Sequence, residues 1–87
     1  MPRFVIQRAL GNVTEAELEA AGANSSRVRE EQFPEIEWEH SHVVRTVDGL
    51  KSYCVYAAPT EQHIRDHAAA AGLPADEIQE IQQDLLP

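Results

Sequence analysis

Hydrophobic and polar positions change their period several times along this 87-residue chain. From Arg3 to Ala9 they alternate, with Phe4 and Ile6 on one side and Arg3, Val5 and Gln7 on the other, which predicts a strand. Gly11-Asn12 interrupts that pattern. Thr14 followed three residues later by Glu17 is a capping-box pattern, so a helix is predicted to begin at Glu15. Leu18, Ala21, Ser25 and Val28 form its thin apolar stripe, and Phe33-Pro34 ends it. Residues 36–46 and 50–58 read as a hairpin around Asp48-Gly49, the second strand rich in β-branched and aromatic residues. Pro59-Thr60 stops that strand and caps a second helix over 61–71, closed by Gly72. In the tail, Ile78, Ile81 and Leu85 fall at helical spacing, yet three strands with two helices on one side call for a fourth strand. A short helical turn over 74–77 followed by a strand is the expectation there.

Strand, helix, hairpin, helix, strand is the order of an α+β domain, a ferredoxin-like βαββαβ sandwich spanning residues 1–87 as a single domain. Its antiparallel sheet carries helices on one face and leaves the other bare. A chain this short buries only about two-thirds of its unfolded surface, so its own core is marginal. With five Phe, Trp and Tyr residues and an alanine-rich second helix, it cannot make both faces self-sufficient. A homodimer closed through the bare face, a dimeric α/β barrel, is the expected assembly.

A type I′ turn at Asp48-Gly49 sets a register in which Val47 pairs with Leu50, Val44 with Tyr53, His42 with Val55 and His40 with Ala57. Ile36 and Trp38 then continue the face of His40 and His42. Cys54 points to the other face, opposite Val43. Glu35, Glu37 and Glu39 form a solvated edge on this reading.

Charge narrows the functional classes. Seven Lys and Arg against 15 Asp and Glu give a formal charge of −8, and between Glu15 and Glu39 eight glutamates face only Arg27 and Arg29. Polyanion binding relies on clustered Lys and Arg, so a nucleic-acid partner or an anionic membrane surface is excluded. No apolar stretch approaches the roughly 18 residues that span a bilayer. MPRFVIQRAL has too short an apolar run for a signal peptide, and the lone Cys54 suits a reducing compartment. A cytoplasmic location is expected.

The four histidines are the chemistry-bearing feature. His40 and His42 have the i,i+2 spacing that puts two side chains on one strand face. His63 and His67 have the i,i+4 spacing that puts two on one helix face. Imidazole is a ligand for nickel, zinc and copper, and each pair is half a site. The competing assignment makes His63 and His67 boundary residues of a half-exposed helix, and His40 and His42 members of a semi-polar dimer interface. Cys54, inside Tyr53-Cys54-Val55-Tyr56 with no basic neighbour to activate it, reads as a small buried hydrophobe. An i,i+4 surface pair with Glu61 is expected for Arg65. No Gly-rich phosphate loop, Ser/His/Asp order, paired-Cys motif or HExxH is present.

Trp38-Glu39-His40-Ser41, Tyr53-Cys54-Val55-Tyr56-Ala57-Ala58-Pro59, Ile64-Arg65-Asp66-His67-Ala68 and Gly72-Leu73-Pro74-Ala75 together carry a likeness, and the opening Pro2-Arg3-Phe4-Val5-Ile6-Gln7-Arg8 extends it. In these segments the chain resembles a small bacterial domain-of-unknown-function family that includes a nickel-binding ferredoxin-like protein. The resemblance implies a ferredoxin-like homodimer, with nickel as the first metal to try. His40, His67 and Cys54 sit at matching positions of the family pattern. His42 stands where that pattern has an aromatic, and the turn over 45–51 is longer than usual.

The expectation is therefore a small protein binding nickel or another divalent transition metal, for storage or sensing, with His40, His42, His63 and His67 as candidate ligands. Two alternatives stay open. One is a small-molecule enzyme of the dimeric α/β-barrel kind, monooxygenase or cyclase in type, with His40 or His67 as general base and Trp38 or Tyr53 as cavity wall. The other is a non-catalytic interaction module.

Overall fold

The computed structural model describes residues 1–87. Its elements run β1 (Arg3–Gly11), α1 (Glu15–Gln32), β2 (Glu37–Thr46), β3 (Gly49–Ala57), α2 (Glu61–Ala71) and β4 (Glu77–Glu80). The sheet order is β2-β3-β1-β4 with every pair antiparallel, which is the ferredoxin-like βαββαβ arrangement.

Local chemistry accounts for the helix ends. The Thr14 hydroxyl accepts from the Glu17 amide at 3.1 Å while the Glu17 carboxylate accepts from the Thr14 amide at 2.9 Å, a complete capping box. Those bonds hold the Glu17 carboxyl below its ordinary range. Thr60 caps α2 through the His63 amide, and Gly72 closes it in the left-handed region at φ 68°.

The hairpin register differs from the type I′ expectation. Thr46 pairs with Gly49, Val44 with Lys51, His42 with Tyr53 and His40 with Val55. Val47 and Asp48 form the turn, and no non-glycine residue has positive φ, so the φ > 0 that a type I′ turn demands of Asp48 is absent. Gly49 takes it instead, at φ 111°, where a Cβ would sit 2.6 Å from the Gly11 carbonyl carbon. The Thr46 hydroxyl braces the turn by donating to the Gly49 carbonyl at 2.7 Å and accepting from the Asp48 amide at 3.2 Å. The slip is two residues, so from His40 to Thr46 each side chain keeps its expected face.

Beyond His40 the faces do change. A bulge between Trp38 and His40 leaves Glu39 without a partner, so that Trp38 pairs with Tyr56 while His40 pairs with Val55. Trp38 therefore lies on the face opposite His40 and His42, correcting the expectation that all three share one. Glu35, Glu37 and Glu39 are all exposed, as the solvated acidic edge requires, but they do not form one row: Glu39 sits in the bulge and accepts two hydrogen bonds from Arg3, and Glu35 lies before the strand, 3.5 Å from the His63 imidazole.

Under the helices, rows of partners run across the sheet: Trp38, Tyr56 and Phe4; Ser41, Cys54, Ile6 and Ile78; Val43, Ser52 and Arg8. Phe4, Ile6, Ile36, Cys54, Tyr56, Ala58 and Ile64 form the core there. Burying each of the larger aliphatic side chains contributes about 1.5–3 kcal/mol. The outer rows hold His40, Val55 and Val5, then His42, Tyr53 and Gln7, and no helix covers them.

At the C-terminus the expected helical turn over 74–77 is absent. The Asp76 amide donates to the Gln7 carbonyl at 3.0 Å, and the Asp76 carboxylate accepts from the Ala9 amide at 2.6 Å. Those two bonds commit the chain to the edge of β1 before a helix can start, and β4 follows. No helix is long and apolar enough to cross a membrane.

Candidate metal centre

The structure brings His40 and His42 together and keeps His63 and His67 apart from them. The His40 and His42 rings are 5.2 Å apart between centroids, inclined at 68°, and both residues are exposed on the outer face. Neither imidazole has a protein hydrogen-bond partner. Two adjacent imidazoles can supply two nitrogen ligands to one divalent transition metal, which leaves the other positions to further donors. Within one chain no group of three or more His, Cys, Asp or Glu side chains is arranged to hold an ion. The pair is a half-site.

The two helical histidines lie across the sheet and are otherwise engaged. His67 is 0 % exposed between α1 and the inner face, with its ring edge-on to Phe33 and Tyr56. Its Nε2–H donates to the Ser25 carbonyl at 3.0 Å, so Nδ1 carries the lone pair, and that atom is buried without a partner. Burial pushes its pKa below the usual imidazole value; the Ser25 bond opposes this, while the Arg8 and Arg29 charges add to it. His67 is thus a neutral core histidine. His63, one turn earlier, joins Nδ1 to the Thr60 hydroxyl at 2.7 Å and sets Nε2 3.5 Å from a Glu35 oxygen. At this end of α2, i,i+4 spacing has produced a cap contact and a core contact.

Cys54 is buried, as its apolar context implied, with its thiol 3.7 Å from the Ser52 hydroxyl. Arg65 pairs with Glu61 at 2.9 Å.

A second feature was not anticipated. The small residues Ala21, Gly22, Ser25 and Ser26 in the middle of α1 line a cavity of about 210 Å³ that is bounded on its other sides by Trp38, Val43, Cys54, Tyr56 and Arg8. Arg8 is 2 % exposed. The alternation of β1 held the signal, because Arg8 follows Phe4 and Ile6 at period 2 and must share their inward face. The bulge had a signal too: Ile36 and Trp38 are apolar, whereas His40 and His42, at the same parity, are polar.

Residues 4–81 match a family model described as nickel responsive protein SCO4226-like. Among solved structures, the chain is similar to that of SCO4226 from Streptomyces coelicolor A3(2), with a TM-score of 0.78 and 21% identity over 95% of this chain and 99% of that one. At that identity the likeness concerns the fold. No curated protein matches.

Proposed function

The chain belongs to the nickel-responsive SCO4226-like family, and from that membership we propose that it binds nickel through His40 and His42 on its bare sheet face. The observation that carries this reading is the 5.2 Å imidazole pair, exposed and free of competing protein hydrogen bonds. Two nitrogens alone make a weak site. A homodimer closed over the outer face, around Val5, Tyr53 and Val55, carries a second His40–His42 pair and can complete the coordination across its twofold axis. A strongly acidic chain also raises the local concentration of cations. The role is storage or sensing of the ion in the cytoplasm.

Calorimetric titration tests this. The protein binds nickel saturably, and the His40→Ala/His42→Ala variant loses at least about tenfold in affinity, the scale of one good ligand interaction. Equal binding by the variant contradicts the assignment. Sedimentation of the same samples tests the dimer separately: a monomer at micromolar concentration, with and without nickel, rules it out.

A further inference from the structure

We propose that the cavity between α1 and the inner sheet face is a binding site for a small organic carboxylate, held by Arg8. This inference does not rest on the nickel reading, because the cavity and the His40–His42 pair lie on opposite sides of the sheet.

The first observation is the state of Arg8. Its Nη1 donates to the Pro74 carbonyl at 2.6 Å, while Nη2 is buried with no hydrogen-bond partner. No carboxylate lies within ion-pair distance, although the chain has 15 acidic residues and its other arginines on β1 and the helices are each beside one. A buried guanidinium lacking both an anion and a full set of acceptors is costly, and proteins resolve that cost by pairing it. Here the chain itself supplies no pair.

The second observation is the lining. Arg8 and Arg29 are its charged members and no Asp or Glu contributes, so the cavity presents positive charge inside a strongly acidic protein. Arg29 is partly engaged, at 3.5 Å from the Ile36 carbonyl and 3.8 Å from Glu30. The remaining wall is mainly apolar and aromatic, with Trp38 and Tyr56 on the sheet side and Leu18 on the helix. An anionic head on an apolar body matches both halves. The volume, about 210 Å³, is below the roughly 300–1,000 Å³ of drug-sized pockets, which selects a compact acid. A carboxylate also suits the planar donor pattern of a guanidinium. The small residues Ala21, Gly22, Ser25 and Ser26 are what keep the space open.

Trp38, the single tryptophan, lines the cavity and reports on it. Phenylacetate, phenylacetamide and inorganic phosphate are titrated against its fluorescence, with proton–nitrogen NMR spectra recorded in parallel. Phenylacetate gives a saturable change that moves the Trp38 indole and α1 signals, and the uncharged amide binds about tenfold or more weakly. Arg8→Gln lowers phenylacetate affinity by a similar factor. Since Arg8→Gln can also disturb folding, Ala21→Phe provides a second variant, which fills the cavity and leaves Arg8 in place. It abolishes binding while the outer-face NMR signals stay where they were. No saturable binding of phenylacetate, equal binding of the amide, full binding by Ala21→Phe, or phosphate binding as tightly as phenylacetate each overturns the proposal.

Discussion

Glu39, the unpaired residue of the β2 bulge, reaches across β3 to accept two hydrogen bonds from the Arg3 guanidinium, at 2.6 and 2.9 Å. Arg3 also donates to Asp84 at 2.6 Å, so one side chain ties the bulge to the segment after β4. The bulge decides the geography of the molecule. It turns Ile36 and Trp38 inward while His40 and His42 remain outward, separating the metal candidates from the cavity.

On the N-terminal side of the bulge β2 keeps a strict period of two, so inserting one alanine between Glu37 and Trp38 has a defined cost. With the register held from Trp38 onward, the added residue takes the outward position of Glu37 and sends Ile36, 1 % exposed, out of the core. A destabilisation of about 2–4 kcal/mol is expected from that lost burial, read from urea unfolding. A change below about 1 kcal/mol shows that the strand period does not place Ile36.

The Glu39 carboxyl is held below its ordinary range, chiefly by its hydrogen bonds to Arg3. A carboxylate with a depressed folded pKa adds stability that is present above the unfolded value and lost as pH falls through the folded one. Glu39→Gln should flatten the acid limb of the stability curve without altering the plateau slope near neutrality. An unchanged acid limb in urea midpoints recorded from neutral pH downward contradicts the pairing.

His67 gives a second, separate pH dependence. Its folded pKa lies below the unfolded value of about 6.5, so the unfolded chain binds the proton more readily. Its full stability is present above that unfolded value and declines as pH falls below it toward the folded pKa. Ser25, Phe33 and Tyr56 pack on the ring, and Arg8 and Arg29 supply the like charges. His67→Phe should show a shallower fall in urea midpoint between pH 7 and pH 5. An identical fall in both proteins contradicts a buried neutral imidazole.

Much of this was readable beforehand because helix ends carry local chemistry. Thr14 with Glu17, Thr60, and Gly72 each name a hydrogen bond or a backbone angle, and the helices begin and end where those residues stand. The bulge was not readable by counting, since counting assumes an unbroken period of two. The tail misled for a related reason: Ile78, Ile81 and Leu85 fit a helix, but Asp76 bonds β1 on both its backbone and its side chain, a long-range fact outweighing local spacing. For His63 and His67 the shared helix face was correct in principle. What spacing omitted is that this face turns beneath α1 at His67 and toward the cap at His63.

Two glycines make a contrast. Gly49→Ala puts a Cβ against the Gly11 backbone at φ 111° and is expected to cost about 2 kcal/mol or more. Gly22→Ala, inside α1 with no atom within 4 Å of the new Cβ, is expected to stabilise by about 0.5–1 kcal/mol. Thermal unfolding of the two variants checks both signs at once.

The most direct test of the nickel assignment is to follow each residue as the metal is added. In nitrogen-labelled protein titrated with nickel, the signals of His40, His42, Tyr53 and Val55 should shift or broaden first, while the Trp38 indole and His67 stay unchanged. If the first signals to respond are those of His63 and His67, or none on the outer face, the metal is not held by the strand pair.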